Sequence, residues 1–118
     1  MAKFLFTLAH GSDNPNKAVQ CFQFAKVAKE MGHEVNIFLI DDGVFLAHMS
    51  LMERIKAATG DELQVFWKYL VDNGVIIRVC KPCAEARMIS EEDLPPGAAI
   101  DTAKTLISLA AESQVFNF

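Results

Sequence analysis

The chain has 118 residues, of which 52% are hydrophobic and 22% charged, and it carries a formal net charge of −4 at pH 7. This length is typical of one domain, predicted over residues 1–118, which buries roughly two thirds of the surface of its unfolded chain. Negative charge gives no electrostatic help to the binding of nucleic acid or an anionic membrane, and no apolar run reaches the length of a membrane span. We therefore expect no nucleic-acid partner and no membrane partner.

Strands and helices alternate along the predicted chain. Strands are indicated by short apolar runs bounded by turn residues, and helices by apolar residues that recur every three or four positions. In chain order, the predicted elements are strand Lys3–His10, helix Asn16–Met31, strand Val35–Ile40, a loop leading into a helix over Val44–Ala58, a helix with its buried stripe from Leu63 to Val71, strand Val75–Cys80, one or two helical turns over Ala84–Met88, a connection over Ser90–Gly97, a short strand near Ala98–Ile100, a last helix from Ala103 to Ala110 and terminal strand Gln114–Phe118.

Capping signals indicate where the two long helices begin. Pro15 stands where a first-turn proline belongs, and Asp13 or Asn14 can cap the first long helix. Thr59 and Glu62 have the spacing of a capping box in front of the second.

Apolar strands that alternate with helices are typical of a parallel sheet covered on both faces. The predicted fold is α/β, a three-layer α/β/α sandwich with a mostly parallel five-stranded sheet. In such sheets, ligands and chemistry gather beyond the carboxyl ends of the strands. Three of these ends, His10–Asn14, Asp41–Gly43 and Cys80–Cys83, are expected to meet at one edge.

The three cysteines are an odd number and do not make a disulfide framework. With no export signal in the sequence, they indicate reduced thiols and a cytoplasmic location. Cys21 lies on the apolar face of a predicted helix and is interpreted as a core residue.

The stretch VCKPCAEAR, residues 79–87, holds the other two cysteines three positions apart. Cys80 ends a predicted strand, and Cys83 lies in the first turn of the next segment. Helix amides and the charges of Lys81 and Arg87 favour a thiolate there. Because the thiolate is the nucleophilic form, we favour attack on a sulfur or carbon electrophile over two small residues that only fill space.

Other interpretations of this pair are weaker. A closed zinc site needs two further ligands and only His10 could reach the pair, so no metal and no cofactor is predicted. A thioredoxin-like redox site places its cysteine pair after an early strand rather than a third one. His10 itself is either a general base or a histidine hydrogen-bonded at the end of a strand.

Several short motifs occur in an order that resembles a known family. They are Gly11–Pro15, Met31-Gly32-His33-Glu34-Val35, Asp42-Gly43-Val44, Asn73-Gly74-Val75, Cys83-Ala84-Glu85-Ala86-Arg87 and Asp93-Leu94-Pro95-Pro96-Gly97. By their order and spacing, over essentially its whole length, the chain resembles the DsrE/TusD-like (DsrE/DsrF-like) sulfurtransferase family.

The resemblance implies a five-stranded parallel sheet between helices and assembly into dimers, trimers or hexamers. It also implies a cysteine at a strand end that carries a persulfide between sulfur donor and acceptor proteins. That cysteine falls on Cys80 and the family's arginine on Arg87, while many uncharacterised relatives carry a cysteine at the place of Cys83. Met88 stands where the family usually has glycine.

The predicted function is a sulfur-relay protein that carries or transfers sulfane sulfur as a cysteine persulfide. Cys80 and Cys83 are the predicted catalytic residues, with Cys80 favoured as nucleophile and Cys83 as a partner able to resolve the persulfide into a disulfide. Binding or electrostatic support is expected from His10, Asp13, Asn14, Lys81 and Arg87. The alternative is a non-catalytic oligomeric module of the same fold that binds a small ligand or partner.

The chain has more apolar residues than one small sheet readily buries, and this excess predicts a homo-oligomer. Phe45–Ile55, with Met49 and Met52, is the segment expected to dock a neighbouring copy. Gln114–Phe118 is expected to pair within the sheet, because its apolar side chains would otherwise form a tail in water.

Overall fold

A computed structural model describes residues 1–118 and contains five strands, five α-helices and two 3-10 helices. In chain order they are β1 (Lys3–Leu8), α1 (Pro15–Glu30), β2 (Glu34–Leu39), a 3-10 helix (Asp41–Ala47), α2 (Met49–Met52), α3 (Leu63–Asp72), β3 (Ile77–Cys80), α4 (Lys81–Ala86), a 3-10 turn (Glu91–Asp93), β4 (Ala98–Asp101), α5 (Ala103–Ala111) and β5 (Gln114–Asn117). None of the helices is both long and apolar enough to cross a membrane.

The five strands form one sheet in the order β4-β3-β2-β1-β5, and every neighbouring pair is parallel. The predicted α/β fold with a five-stranded parallel sheet is therefore confirmed. The expected pairing of the terminal segment is confirmed as well, because β5 runs along β1. The amide of Phe118 continues this ladder by donating to the carbonyl oxygen of Thr7 at 2.8 Å.

The direction of each crossover decides which face of the sheet a helix covers. Right-handed crossovers from β1 to β2 and from β2 to β3 place α1 and α3 on the same face. Phe22 of α1 stacks on Trp67 of α3 there, with ring centroids 5.2 Å apart. The crossover from β4 to β5 runs across the sheet in the opposite direction and therefore places α5 on the other face.

The main core lies between the sheet and helices α1 and α3. Phe6, Ile37 and Ile77 are buried in it, because alternate residues of each strand face the same side of the sheet. The other face is covered more thinly. Leu5 and Phe38 are buried on that face, whereas α5 itself has no buried residue.

Between β2 and α3, two local predictions differ from the structure. The predicted loop and helix over Val44–Ala58 is the end of a 3-10 helix followed by only the four-residue α2. The capping box at Thr59 and Glu62 is wrong, because the hydroxyl of Thr59 donates to Asp61 instead, at 2.8 Å. Glu62 is extended, forms an isolated bridge with Lys56, and is itself the N-cap of α3 without a side-chain hydrogen bond.

Candidate functional site at the carboxyl edge of the sheet

The cysteine pair spans the junction between β3 and α4. Cys80 is the last residue of β3 and the N-cap of α4, and Cys83 is the third residue of that helix. α4 begins at Lys81 rather than at the predicted Ala84, because Pro82 suits the first turn of a helix, where its missing N–H is not needed. Both cysteines are half-buried, so they are neither sealed in the core nor fully exposed.

Cys21 contrasts with this pair. It is fully buried in α1, and burial raises the pKa of its thiol far above the ordinary value of 9.0. A thiol that stays protonated in apolar surroundings is inert, which confirms the interpretation of Cys21 as a core residue. Thiol chemistry at neutral pH is therefore left to the other two cysteines.

Cys80 and Cys83 are close neighbours at the start of α4, where they are the N-cap and the third residue of the helix. Burial is the main cause that raises the pKa of Cys80, and the neighbouring thiol raises it further, while the Cys83 amide and the charge of Arg87 act in the opposite direction. On balance, Cys80 keeps its proton to a higher pH than an isolated cysteine does.

The guanidinium of Arg87 is engaged by two carboxylates. Nε and Nη2 donate to Oδ1 of Asp42 at 3.1 and 2.9 Å, and Nη2 donates to Oδ1 of Asp41 at 2.7 Å. Nη1 donates to the backbone carbonyl oxygen of Cys83 at 3.1 Å. These contacts, above all the hydrogen bond to Asp42, raise the pKa of Arg87. Arg87 therefore fastens α4 to the 3-10 helix that follows β2.

Backbone strain lies on both sides of this cluster. The only residues other than glycine with positive φ are Asp41, at 48°, and Met88, at 57°. Asp41 binds Arg87, and Met88 follows Arg87 directly. The left-handed conformation costs a residue with a side chain roughly 1–2 kcal/mol, and such strain is typical of functional sites. Met88 thus adopts the glycine-like conformation of the position it occupies, and it is 91% exposed.

The predicted support residues after β1 bind one another. His10 Nδ1 lies 2.7 Å from Asp13 Oδ2, and this hydrogen bond is the main cause that lowers the pKa of Asp13. Asn14 is the N-cap of α1 and accepts a backbone N–H through its side chain at 3.2 Å. None of the three side chains forms a hydrogen bond with either cysteine, because β2 separates β1 from β3 in the sheet.

The three loops at this edge still touch one after another. Gly43 lies so close to β1 that a Cβ atom on it would collide with the carbonyl oxygen of Leu8. A Cβ atom on Gly11 would approach the carbonyl oxygen of Asp42 to 3.0 Å. Asp42 in turn binds Arg87 and thereby α4. The expected meeting of the three loops is confirmed, with Asp42 as the link in the middle.

Two charged residues flank Cys80. Lys81 is exposed and takes part in no ion pair, so its ammonium group is available to an anion. Asp101 ends β4 and stands beside Cys80 in the register of the sheet. Its carboxylate accepts from the Thr105 hydroxyl at 2.7 Å and pairs with Arg78 at 3.3 Å, and these contacts lower its pKa. No group of three or more His, Cys, Asp or Glu side chains is arranged to hold a metal ion.

Sequence reasoning placed Asp41–Gly43 at this edge but assigned no role to Asp41, Asp42 or Asp101. A signal was present, because all three follow predicted strands at the same edge of the sheet. Their partners were not visible, since Arg87 and Asp42 are 45 positions apart in the chain.

A second feature, the α1/β5 groove, lies away from the cysteines. It is an apolar groove of about 450 Å³ between α1, β1 and β5. Phe24 and Val27 of α1, Met31 at the end of that helix and Phe116 of β5 line it, and between 46% and 68% of each residue is exposed. An exposed apolar groove of this kind is typical of an interaction surface.

Comparison with known proteins matches the chain to one family over almost its full length. The model of the DsrE/DsrF-like family covers residues 2–118. An uncharacterized protein of Methanocaldococcus jannaschii is 33% identical over 111 residues, which are 94% of this chain and 94% of that protein. An uncharacterized protein of Methanopyrus kandleri is 35% identical over 100 residues, which are 82% of this chain and 77% of that protein.

Two solved structures share the fold over the whole of both chains. The ychN protein of E. coli superposes with a TM-score of 0.83 at 21% sequence identity. A protein of unknown function from Methanobacterium thermoautotrophicum superposes with a TM-score of 0.70 at 12% identity. At these identities the likeness shows the α/β fold alone.

Proposed function

Because the chain belongs to the DsrE/DsrF-like family, we propose that it is a sulfur-relay protein that carries sulfane sulfur as a persulfide on the Cys80–Cys83 pair. The observation that carries the proposal is the position of two half-buried thiols at the carboxyl end of β3, beside a lysine that has no ion-pair partner. The third cysteine is sealed in the core and cannot compete for the sulfur.

The proposed reaction transfers the outer sulfur of a donor persulfide or polysulfide. A cysteine thiolate attacks that sulfur, the S–S bond of the donor breaks, and the donor leaves as a thiolate with the electron pair of that bond. The chain then holds Cys–S–SH, and attack by the thiolate of an acceptor protein passes the sulfur on. Lys81 supports the persulfide anion by its charge, whereas Arg87 acts as a positioning residue for α4.

The pKa of Cys80 bears on which thiol attacks first. Burial and the Cys83 thiol raise that pKa, so Cys80 gives up its proton less readily than an isolated cysteine does. This favours Cys83 as the first nucleophile, the reverse of the order predicted from sequence. Cys80 occupies the position that the family uses for its carrier cysteine, which favours Cys80 as the first nucleophile. The rates at which the two thiols are alkylated test which order holds.

Sulfur loading is tested by intact-mass spectrometry after incubation with inorganic polysulfide and removal of excess reagent. A gain of one sulfur atom, about 32 Da, is expected on Cys80 or Cys83 in protein treated this way. Cys21→Ser is the matched control and should load like the original chain. If the chain with both Cys80→Ser and Cys83→Ser still loads, or if neither the original chain nor the variants Cys80→Ser and Cys83→Ser take up sulfur, the proposal is wrong; the second result would favour the non-catalytic binding module.

We further propose that the chain is a homo-oligomer in which a second copy covers the α1/β5 groove. β5 is an edge strand, and the outer side of its backbone has no partner within the chain. This open edge continues directly into the apolar groove, and a two-fold contact would bring the same patch of both copies together. The segment expected to dock a neighbour, Phe45–Ile55, is less suited, because Met52 and Ile55 are buried in the chain's own core.

A further inference from the structure

We propose that the Cys80–Cys83 pair also releases its sulfur as sulfide, by forming an intramolecular disulfide. The reductant that then restores the two thiols is a dithiol. This inference rests on the proposed function, because a persulfide must first form on the pair. It adds a second reaction to that function: reductive release of the sulfur in place of its transfer to another protein.

The placement of the two cysteines suits a disulfide without refolding. Cys80 is the N-cap and Cys83 the third residue of α4, so they are three positions apart within one helical turn. The side chain of an N-cap residue points back over the first turn, towards the N3 position that Cys83 occupies. This is the direction in which a bond between the two sulfurs has to form, with Cβ atoms about 3.5–4.5 Å apart.

The helix that carries Cys83 is held while the bond forms. The carbonyl oxygen of Cys83 accepts from Arg87 Nη1 at 3.1 Å, and Arg87 is fixed to Asp42. Closure of the disulfide therefore moves mainly the side chains, and α4 keeps its place beside the 3-10 helix. Cys21 cannot substitute as a resolving thiol, because it is fully buried in α1.

The step balances in atoms and electrons. With the persulfide on Cys83, the thiolate of Cys80 attacks the sulfur bound to Cβ of Cys83, and the bond to the outer sulfur breaks. The products are the Cys80–Cys83 disulfide and HS⁻, which takes up the electron pair of the broken bond. The same equation holds with the roles of the two cysteines exchanged. A dithiol then reduces the disulfide by two electrons and becomes a disulfide itself.

The test measures sulfide release and intact mass together. The chain, loaded briefly with inorganic polysulfide and desalted, is incubated without any added thiol. We expect about one sulfide per loaded chain and a final mass about 2 Da below that of the reduced protein, as for an intramolecular disulfide. The rate constant should not change on tenfold dilution, because the reaction occurs within one chain.

Variants in which one cysteine of the pair is replaced by serine distinguish this inference from the proposed function. Cys80→Ser and Cys83→Ser each lack a resolving thiol, and a variant that takes up sulfur should hold it as a stable gain of about 32 Da without sulfide release. Cys21→Ser should release sulfide like the original chain. Stable persulfide on the original chain, with no sulfide, would overturn the inference and leave the carrier function standing. Failure of every protein to take up sulfur would overturn the carrier function and the inference with it.

A second measurement does not depend on polysulfide. The reduced chain is equilibrated with mixtures of a reduced and an oxidised dithiol, and the Cys80–Cys83 disulfide is quantified by mass after acid quenching. A disulfide that forms reversibly within one chain supports the inference. If oxidation gives only mixed disulfides or bonds between chains, the geometry does not permit closure and the inference is wrong.

Discussion

Nε and Nη2 of Arg87 converge on a single oxygen atom, Oδ1 of Asp42, at 3.1 and 2.9 Å. The third nitrogen, Nη1, reaches the carbonyl oxygen of Cys83. One side chain thus connects the end of β2 with the helix that holds the cysteines. Only the planar fork of a guanidinium offers donors in these directions at once, so a lysine cannot replace it.

Arg87→Ala should therefore lower the free energy of unfolding, since charge-assisted hydrogen bonds are lost, but only modestly, because Asp41 and Asp42 are 68% and 48% exposed and water weakens both ion pairs. Arg87→Lys should recover only a part of this. Urea denaturation measures the free energy of unfolding of both variants. Arg54→Ala is the control, because Arg54 is exposed and makes no ion pair. Equal effects at the two arginines would show that the contacts to Asp42 contribute nothing.

Met88→Gly should stabilise the protein by about 0.5–1 kcal/mol. Met88 has φ of 57° and is 91% exposed, so its replacement by glycine relieves a left-handed conformation and removes little buried surface. Val65→Gly is the matched control, because Val65 is also an exposed apolar residue but lies within α3, where φ is negative, and outside the α1/β5 groove. Thermal denaturation should show a gain for the first variant and none for the second. A loss at Met88 would mean that its side chain makes a stabilising contact, for instance with another copy of the chain.

The order of reaction within the cysteine pair can be read from alkylation rates against pH. Cys83→Ser leaves Cys80 as the reacting thiol, and its alkylation should need a higher pH than that of an isolated cysteine, because burial raises the pKa of Cys80. Cys80→Ser is measured beside it as the comparison. Both measurements are made in the Cys21→Ser background to remove the buried thiol. The opposite pattern would restore Cys80 as the first nucleophile.

Asp101→Asn should destabilise the protein in a pH-dependent manner. The hydroxyl of Thr105, first among several contacts, lowers the pKa of Asp101 below its ordinary 3.8 in the folded state. The ionised carboxylate therefore stabilises the fold fully above the unfolded pKa, and this contribution is lost as the pH falls through the lower folded value. Denaturation at pH 2.5–7 should show the two proteins diverging above about pH 4 and converging below it. A difference that stays constant with pH would exclude this linkage.

The proposed contact between copies predicts that the 13.1 kDa chain elutes in solution as an oligomer. Val27→Glu, in the α1/β5 groove, should shift it towards the monomer, because burying a carboxylate in an apolar interface is costly. Ile107→Glu on α5 is the control, with an exposed apolar residue outside the groove. Light scattering at micromolar concentration distinguishes the outcomes, and a monomer for the unaltered chain would contradict the proposal.

Much of this fold could be predicted because its signals are local. The apolar run that ends at Cys80 and the Pro15 turn define their elements without knowledge of the rest of the chain. The predicted start of α4 lies too late in the chain, because helical spacing is clear only after Pro82, although a proline in the first helical turn is compatible with the helix. The role of Arg87 could not be predicted, since its partners come from a distant loop and depend on which strands become neighbours.

Thr7 and Asn117 are joined by a side-chain hydrogen bond although they are 110 positions apart. During synthesis, the four strands β1 to β4 can assemble in the order in which they leave the ribosome, but β1 keeps an open edge until residues 114–117 arrive. Leu5 and Phe38 also stay uncovered until α5 crosses the sheet. The nascent chain therefore passes through a state in which one face of the sheet is uncovered and one edge strand is unpaired, and both features promote aggregation. Molecular chaperones that bind exposed apolar surface should hold this intermediate, and refolding yields should fall as the protein concentration rises.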